Sequence, residues 1–251
     1  MRFIIYCLLA LCSLACAAEP FSAYILDSVR TMPKGGGYAA DRVAEVRLAE
    51  RGIVRQGRQL RIDPQGAAPT FCSAACYMAL LRALQRWERE HAAFSPAVWE
   101  SLRVEPKHPD GYLSWGRANA NGPGFAKWAH DLGVGENFTD PAKAQPGDFL
   151  KFFHTPHIGS AERGHMVVYL GRYTSKEGTD QGIIYWSSNK PGGYGVSSIS
   201  LSRIHHLIFT RITHPERFAK APSLPAEDSW LGSMLSSPCT YAEVCRRCRA
   251  R

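Results

Sequence analysis

Beyond residue 14 the chain has no apolar run long enough to cross a bilayer, which excludes a membrane-spanning helix from that point onward. Zinc-finger spacing and a basic helix are both missing, and the lysines and arginines are spread along the chain, so nucleic acid is a weak partner candidate. The segment 215–251 holds Cys239, Cys245 and Cys248 but no histidine, so a zinc site there lacks a clear fourth ligand. No metal or other cofactor is expected.

What is present begins with an export signal. Arg2 precedes an apolar run from Phe3 to Leu14 and then the small residues Ala15-Cys16-Ala17-Ala18, the pattern of a cleaved secretory signal over residues 1–18. Removing Arg2 from the formal net charge of +8 leaves about +7. A basic chain in the periplasm or outside the cell favours an anionic envelope polymer as partner. Cleavage also removes three of the eight cysteines and leaves Cys72, Cys76, Cys239, Cys245 and Cys248. An odd number in an oxidising compartment implies a free thiol, and a disulfide stapling the tail is expected among the rest, its pairing open.

The remaining residues, 45% of the whole chain being hydrophobic, suffice for one domain with a sizeable core. Residues 19–66 read as an N-terminal arm or helix packing on the domain, in which Val43, Val46 and Leu48 have roughly helical spacing. Pro69-Thr70 marks a break and a candidate cap. From Cys72 to about His91, apolar residues at Cys76, Leu80, Ala83, Leu84 and Trp87 recur at three- and four-residue steps and predict a helix. Residues 92–140 read as a Trp-rich inserted subdomain or substrate wall, most of whose tryptophans pack, with a helix over 124–132. The period then changes to that of short strands at 149–153, 166–170, 182–187, 197–201 and 207–212. A helix followed by an antiparallel meander predicts an α+β domain over 67–214, and 215–251 reads as a cysteine-containing tail.

Two residues stand out within this frame. Cys72 falls at the mouth of the helix, where unpaired N–H groups and the helix dipole favour a thiolate. His165, about ninety residues later, opens the strand Met166-Val167-Val168-Tyr169-Leu170 and can serve as its base. Cys76, one turn deeper, reads as a small core residue. His154 and His157 are rival bases in a less rigid loop.

The blocks Ala144-Gln145-Pro146-Gly147-Asp148-Phe149-Leu150-Lys151-Phe152-Phe153 and Gly164-His165-Met166-Val167-Val168-Tyr169-Leu170-Gly171 resemble the Pro-Gly-Asp-strand and His-strand-Gly pattern of NlpC-type cell-wall peptidases, with the CHAP amidases close behind. Phe71-Cys72-Ser73-Ala74 is similar to their Asp-Cys-Ser-Gly, with departures at Phe71 and Ala74. The resemblance covers roughly residues 68–202. It implies a papain-like fold, with the helix bearing the cysteine packed on an antiparallel sheet bearing the histidine, and a helical insertion between them. It also implies a secreted cysteine amidase or endopeptidase acting on peptidoglycan stem peptides through Cys72 and His165. A third residue should orient the imidazole from Tyr185-Trp186-Ser187-Ser188-Asn189. Asn189 has the better chemistry, whereas Ser187 or Ser188 lies more nearly opposite His165 if the hairpin is symmetric about 176 and 177. Asp148 reads as a turn residue, and Trp115 and Trp186 are candidate substrate contacts. A non-catalytic envelope-binding or inhibitory domain, and a thiol acyltransferase, are the competing functions.

Overall fold

The apolar spacing that starts at Cys72 produces a 20-residue helix whose Cys76, Tyr77, Met78, Leu80, Leu81, Leu84 and Trp87 are all buried. The computed structural model describes residues 19–251; the signal expected over 1–18 lies outside the described residues. The helices used below are α1 (Phe21–Arg30), α2 (Cys72–His91), α3 (Leu113–Asn119), α4 (Gly124–Leu132) and α5 (Tyr241–Arg247). The main strands are β1 (Gly135–Phe138), β2 (Phe149–Phe153), β3 (Gly164–Thr174), β4 (Gln181–Asn189), β5 (Gly193–Ser200) and β6 (His206–Ile212). Helices and a large antiparallel sheet make this an α+β protein.

The sheet runs in the order Gly35–Gly36, β5, β4, β3, β2, β6, β1. The expected meander covers only β3 to β5. β6 returns to the free edge of β2 and pairs there, with Phe209 opposite Leu150, and β1 adds beyond it. Alternate residues along the central strands then serve two cores. Phe149, Met166, Val168 and Trp186 share a core with α2, while Leu150, Phe152, Val167, Tyr169 and Tyr185 join Phe138 and Phe209 in another. Burial on both faces explains why β2 reads Phe-Leu-Lys-Phe-Phe with almost no polar alternation.

The turn that feeds β2 is set by Pro146-Gly147-Asp148. Gly147 has φ +94°, and a Cβ there would stand 2.7 Å from the Ser22 carbonyl oxygen, so only glycine fits. The Gly147 N–H donates to the Tyr169 carbonyl at 2.9 Å and the Tyr169 N–H to the Asp148 carbonyl at 2.8 Å, which holds β2 in register with β3. Asp148 is buried, accepting from the Gln145 N–H at 2.7 Å and from Arg211 Nε and Nη2 at 2.8 and 2.7 Å.

Residues 19–66 pack on the domain: Phe21, Tyr24 and Ile25 of α1 share the core of α2, and Ile53–Gln56 pairs with Gln59–Ile62 as a hairpin. The segment 92–140 joins that same core through Trp99, Trp115 and Trp128. The tail differs from the expected stapled loop. All five described cysteines are free, and the tail is held by packing of Val244 and Cys248 on Phe153 and Ile208, with Asn137 Nδ2 donating to the Cys248 carbonyl at 2.9 Å.

Candidate active site

Chain direction at the start of α2 decides how Cys72 is presented. Phe71 is the N-cap residue in extended conformation, φ −121° and ψ 171°, and makes no side-chain cap. Thr70, the expected cap, is held by its carbonyl, which accepts from Ser188 Oγ at 2.9 Å and from the Ala39 N–H at 3.2 Å. With no capping side chain and no acidic residue in the first turn, the N–H groups around Cys72 stay open to a ligand.

His165 reaches the same point from the sheet. It is the second residue of β3, in register with Phe152, and its ring lies edge-on to Phe152 and Tyr185, each 5.7 Å between centroids. Nε2 lies 3.1 Å from Asn189 Oδ1. The amide orientation follows from its other contacts, because Asn189 Nδ2 donates to the carbonyls of Gly195 at 2.9 Å and Ser187 at 3.2 Å, leaving Oδ1 to accept from the imidazole. A proton on Nε2 leaves Nδ1 for the thiol.

The choice among Ser187, Ser188 and Asn189 turns on a β-bulge. Near the hairpin tip Gly171 pairs with Ile184, but past the bulge Tyr169 pairs with Tyr185 and Val168 with Trp186. Leu170 is the extra residue, and continuing the inner register sets 165 opposite 189. Ser187, an expected candidate, does not face the imidazole: its Oγ donates to the Met166 carbonyl at 2.7 Å. Ser188 is spent on Thr70.

Electrostatics at the thiol favour ionisation. Burial pushes the Cys72 pKa up, but the hydrogen bond and charge of His165 outweigh it, with help from the Lys151 charge and the Met166 N–H, and bring the group down to about 6. Tyr38 is a member of the site that local pattern does not mark. Burial raises its pKa, as do the charge of Cys72 and a hydrogen bond to it, so its hydroxyl stands as a donor toward the sulfur. Cys76 differs in kind: burial and the neighbouring Cys72 push it well above the ordinary value.

Cys72 opens on a cleft of about 350 Å³, whose walls include Tyr38, Asp110, Asn119 and Lys151. Against models of known protein families, curated proteins and solved structures, nothing matches this chain. Neither expected tryptophan lines the cleft. Trp115, 4% exposed, packs on Phe71 and Tyr77 in the core, and Trp186, 3% exposed, stacks on Tyr194 in the core that the sheet shares with α1 and α2, beside Leu26 and Val29. His154 and His157 are exposed and also outside the cleft. Among the described residues no His, Cys, Asp or Glu cluster is arranged to hold a metal, and no helix is long and apolar enough to cross a membrane.

Proposed function

We propose that the chain is an exported papain-like cysteine hydrolase of NlpC type, cleaving amide bonds in peptidoglycan stem peptides. The observation that carries this reading is the alignment of Cys72, His165 and Asn189, with the thiol at an uncapped helix mouth and the imidazole oriented by an amide oxygen. In the first step the Cys72 thiolate attacks the substrate carbonyl carbon. The oxyanion that forms is received by backbone N–H groups at the start of α2 and by the Tyr38 hydroxyl. Protonated His165 gives its proton to the departing amine, leaving an acyl-enzyme thioester. Water then loses a proton to His165 as it attacks the thioester, and the carboxylic product leaves with Cys72 restored. Peptidoglycan as the substrate is supported by the Pro-Gly-Asp and His-strand blocks and by the basic charge of a chain expected to be exported.

Purified peptidoglycan digested with the protein and resolved by mass spectrometry tests the reading. Muropeptides hydrolysed at one amide, each with a new amine and a new carboxylate, are expected. An unchanged muropeptide profile contradicts it.

Within this mechanism Asn189 orients a ring that must accept and release protons on one side only. Asn189→Ala should lower kcat on the order of 100-fold, toward the lower end of what a positioned acid–base group contributes, with KM little changed. Iodoacetamide should still label Cys72 in that variant.

A further inference from the structure

The charges lining the cleft do not balance. Its cation, Lys151, is bound at 2.6 Å to Glu162, with only 15% and 6% of the two side chains exposed, so the two neutralise one another. Glu162 also accepts from the N–H groups of Gly122 at 2.5 Å and Gly159 at 3.0 Å, which fixes it as a wall component. Glu45, at the cleft margin, pairs at 3.1 Å with the exposed Arg42. Asp110 is different. It is half-buried, forms no ion pair among the described residues, and its Oδ2 accepts one long hydrogen bond, 3.3 Å, from the Asn121 N–H. Its other oxygen accepts no hydrogen bond among the described residues, and Asp110 lines the same cleft as Cys72.

We infer that Asp110 anchors a positively charged group of the substrate, so that this cleft selects amide substrates bearing a free ammonium close to the scissile bond. The inference rests on Cys72 being the nucleophile of the cleft. Asp110 is one carboxylate without an ion-pair partner among the described residues, in a cleft that also holds Cys72. Burial raises the pKa of Asp110, the Asn121 N–H and the more weakly felt charge of Lys151 oppose it only in part against Glu45 and Glu162, and a bound ammonium would lower it further. An amine placed there adds a directional hydrogen bond to the carboxylate. Acetylating that amine removes both the charge and much of the contact.

Two methanethiosulfonate reagents of similar size, one ending in trimethylammonium and one in sulfonate, read this charge without any amide cleavage. The Cys72 thiolate attacks the sulfenyl sulfur, a mixed disulfide forms, and methanesulfinate leaves with the bonding pair. Rates are normalised to those with free cysteine, and mass spectrometry confirms the modified residue. The wild-type protein should favour the cationic reagent by at least about 10-fold, a modest effect for one partly buried charge. Asp110→Asn, which keeps the acceptor for the Asn121 N–H, should erase most of that preference. A wild-type preference for the anionic reagent, or a cationic preference that D110N leaves unchanged, overturns the inference. Paired amide substrates with a free or acetylated amine provide the second arm: the wild type should prefer the free amine by kcat/KM and D110N should not. Because the reagents report on Cys72 directly, an unselective cleft is distinguishable from a missing hydrolase activity.

Discussion

Cys72→Ala should abolish amide cleavage, with a loss of at least about 1,000-fold in kcat, because the variant retains no group able to form the acyl-enzyme. No neighbouring thiol can take over. Cys76 lies one turn deeper, fully buried, and its pKa is driven up, so it is neither accessible nor ionised. The fold should survive the change. Cys72 is only half-buried, and alanine is the best helix former for the first position of α2. The melting temperature is expected to move by no more than about 2 °C, consistent with a small change at a partly exposed site. His165→Ala should cost a similar amount, and the double variant should be little worse than either single one, since the two residues act as one unit. Rates on muropeptides together with thermal melts check all of these, and a substantial residual rate in Cys72→Ala would remove the cysteine from the mechanism.

Asp148→Ala should be the most damaging change to stability. Its carboxylate is fully buried and holds Arg211 with two hydrogen bonds while capping the turn into β2 through the Gln145 N–H. Removing it leaves a largely buried guanidinium without its counter-ion; the Glu136 contact, at 3.5 Å, is longer and more exposed. Breaking a buried pair in this way costs roughly 3–5 kcal/mol. For a chain of this size that corresponds to a fall of roughly 10 °C in Tm, read by calorimetry or circular dichroism. The turn also holds β2 against β3, so the register that sets Phe152 beside His165 depends on it. Asp148→Asn should be milder, because it keeps an acceptor for Arg211 and a group of the same size.

Both residues are visible in the sequence as parts of blocks, and that shows which features a sequence makes legible. α2 is readable because its burial follows a local period, from Cys76 through Trp87. The strands at 149–153 and 207–212 are readable as short, nearly continuous apolar runs, because they are buried on both faces. The third member of the site is not, because opposition across a hairpin depends on whether a bulge is inserted, and Gly171, a residue type that often marks one, does not say that Leu170 is the unpaired residue. Tyr38 escapes notice because only tertiary pairing brings it there: it bridges to Thr70 beyond a run of glycines with positive φ. Trp115 and Trp186 fail as substrate contacts since composition reveals that an aromatic is present but not which surface it covers; Phe71, Tyr77 and Tyr194 cover these two. The tail is illegible for a related reason. Its short 3-10 turn over Pro215–Ser223 and the two-residue strand Pro238–Cys239 have no period of their own and are set by partners such as Trp128 and Ile158.

The account depends on Cys72 being a thiolate held by His165, and the pH dependence of its alkylation tests that most directly. Iodoacetamide labelling of Cys72, followed by mass spectrometry across pH 4–10, should rise with a midpoint near 6 in the wild-type protein, the pKa to which His165 brings the group. Below that midpoint the sulfur carries its proton and reacts slowly. In His165→Ala the midpoint should move up toward that of an ordinary cysteine, about 8.5. A wild-type midpoint already near 8.5, unmoved by the loss of His165, would contradict the account.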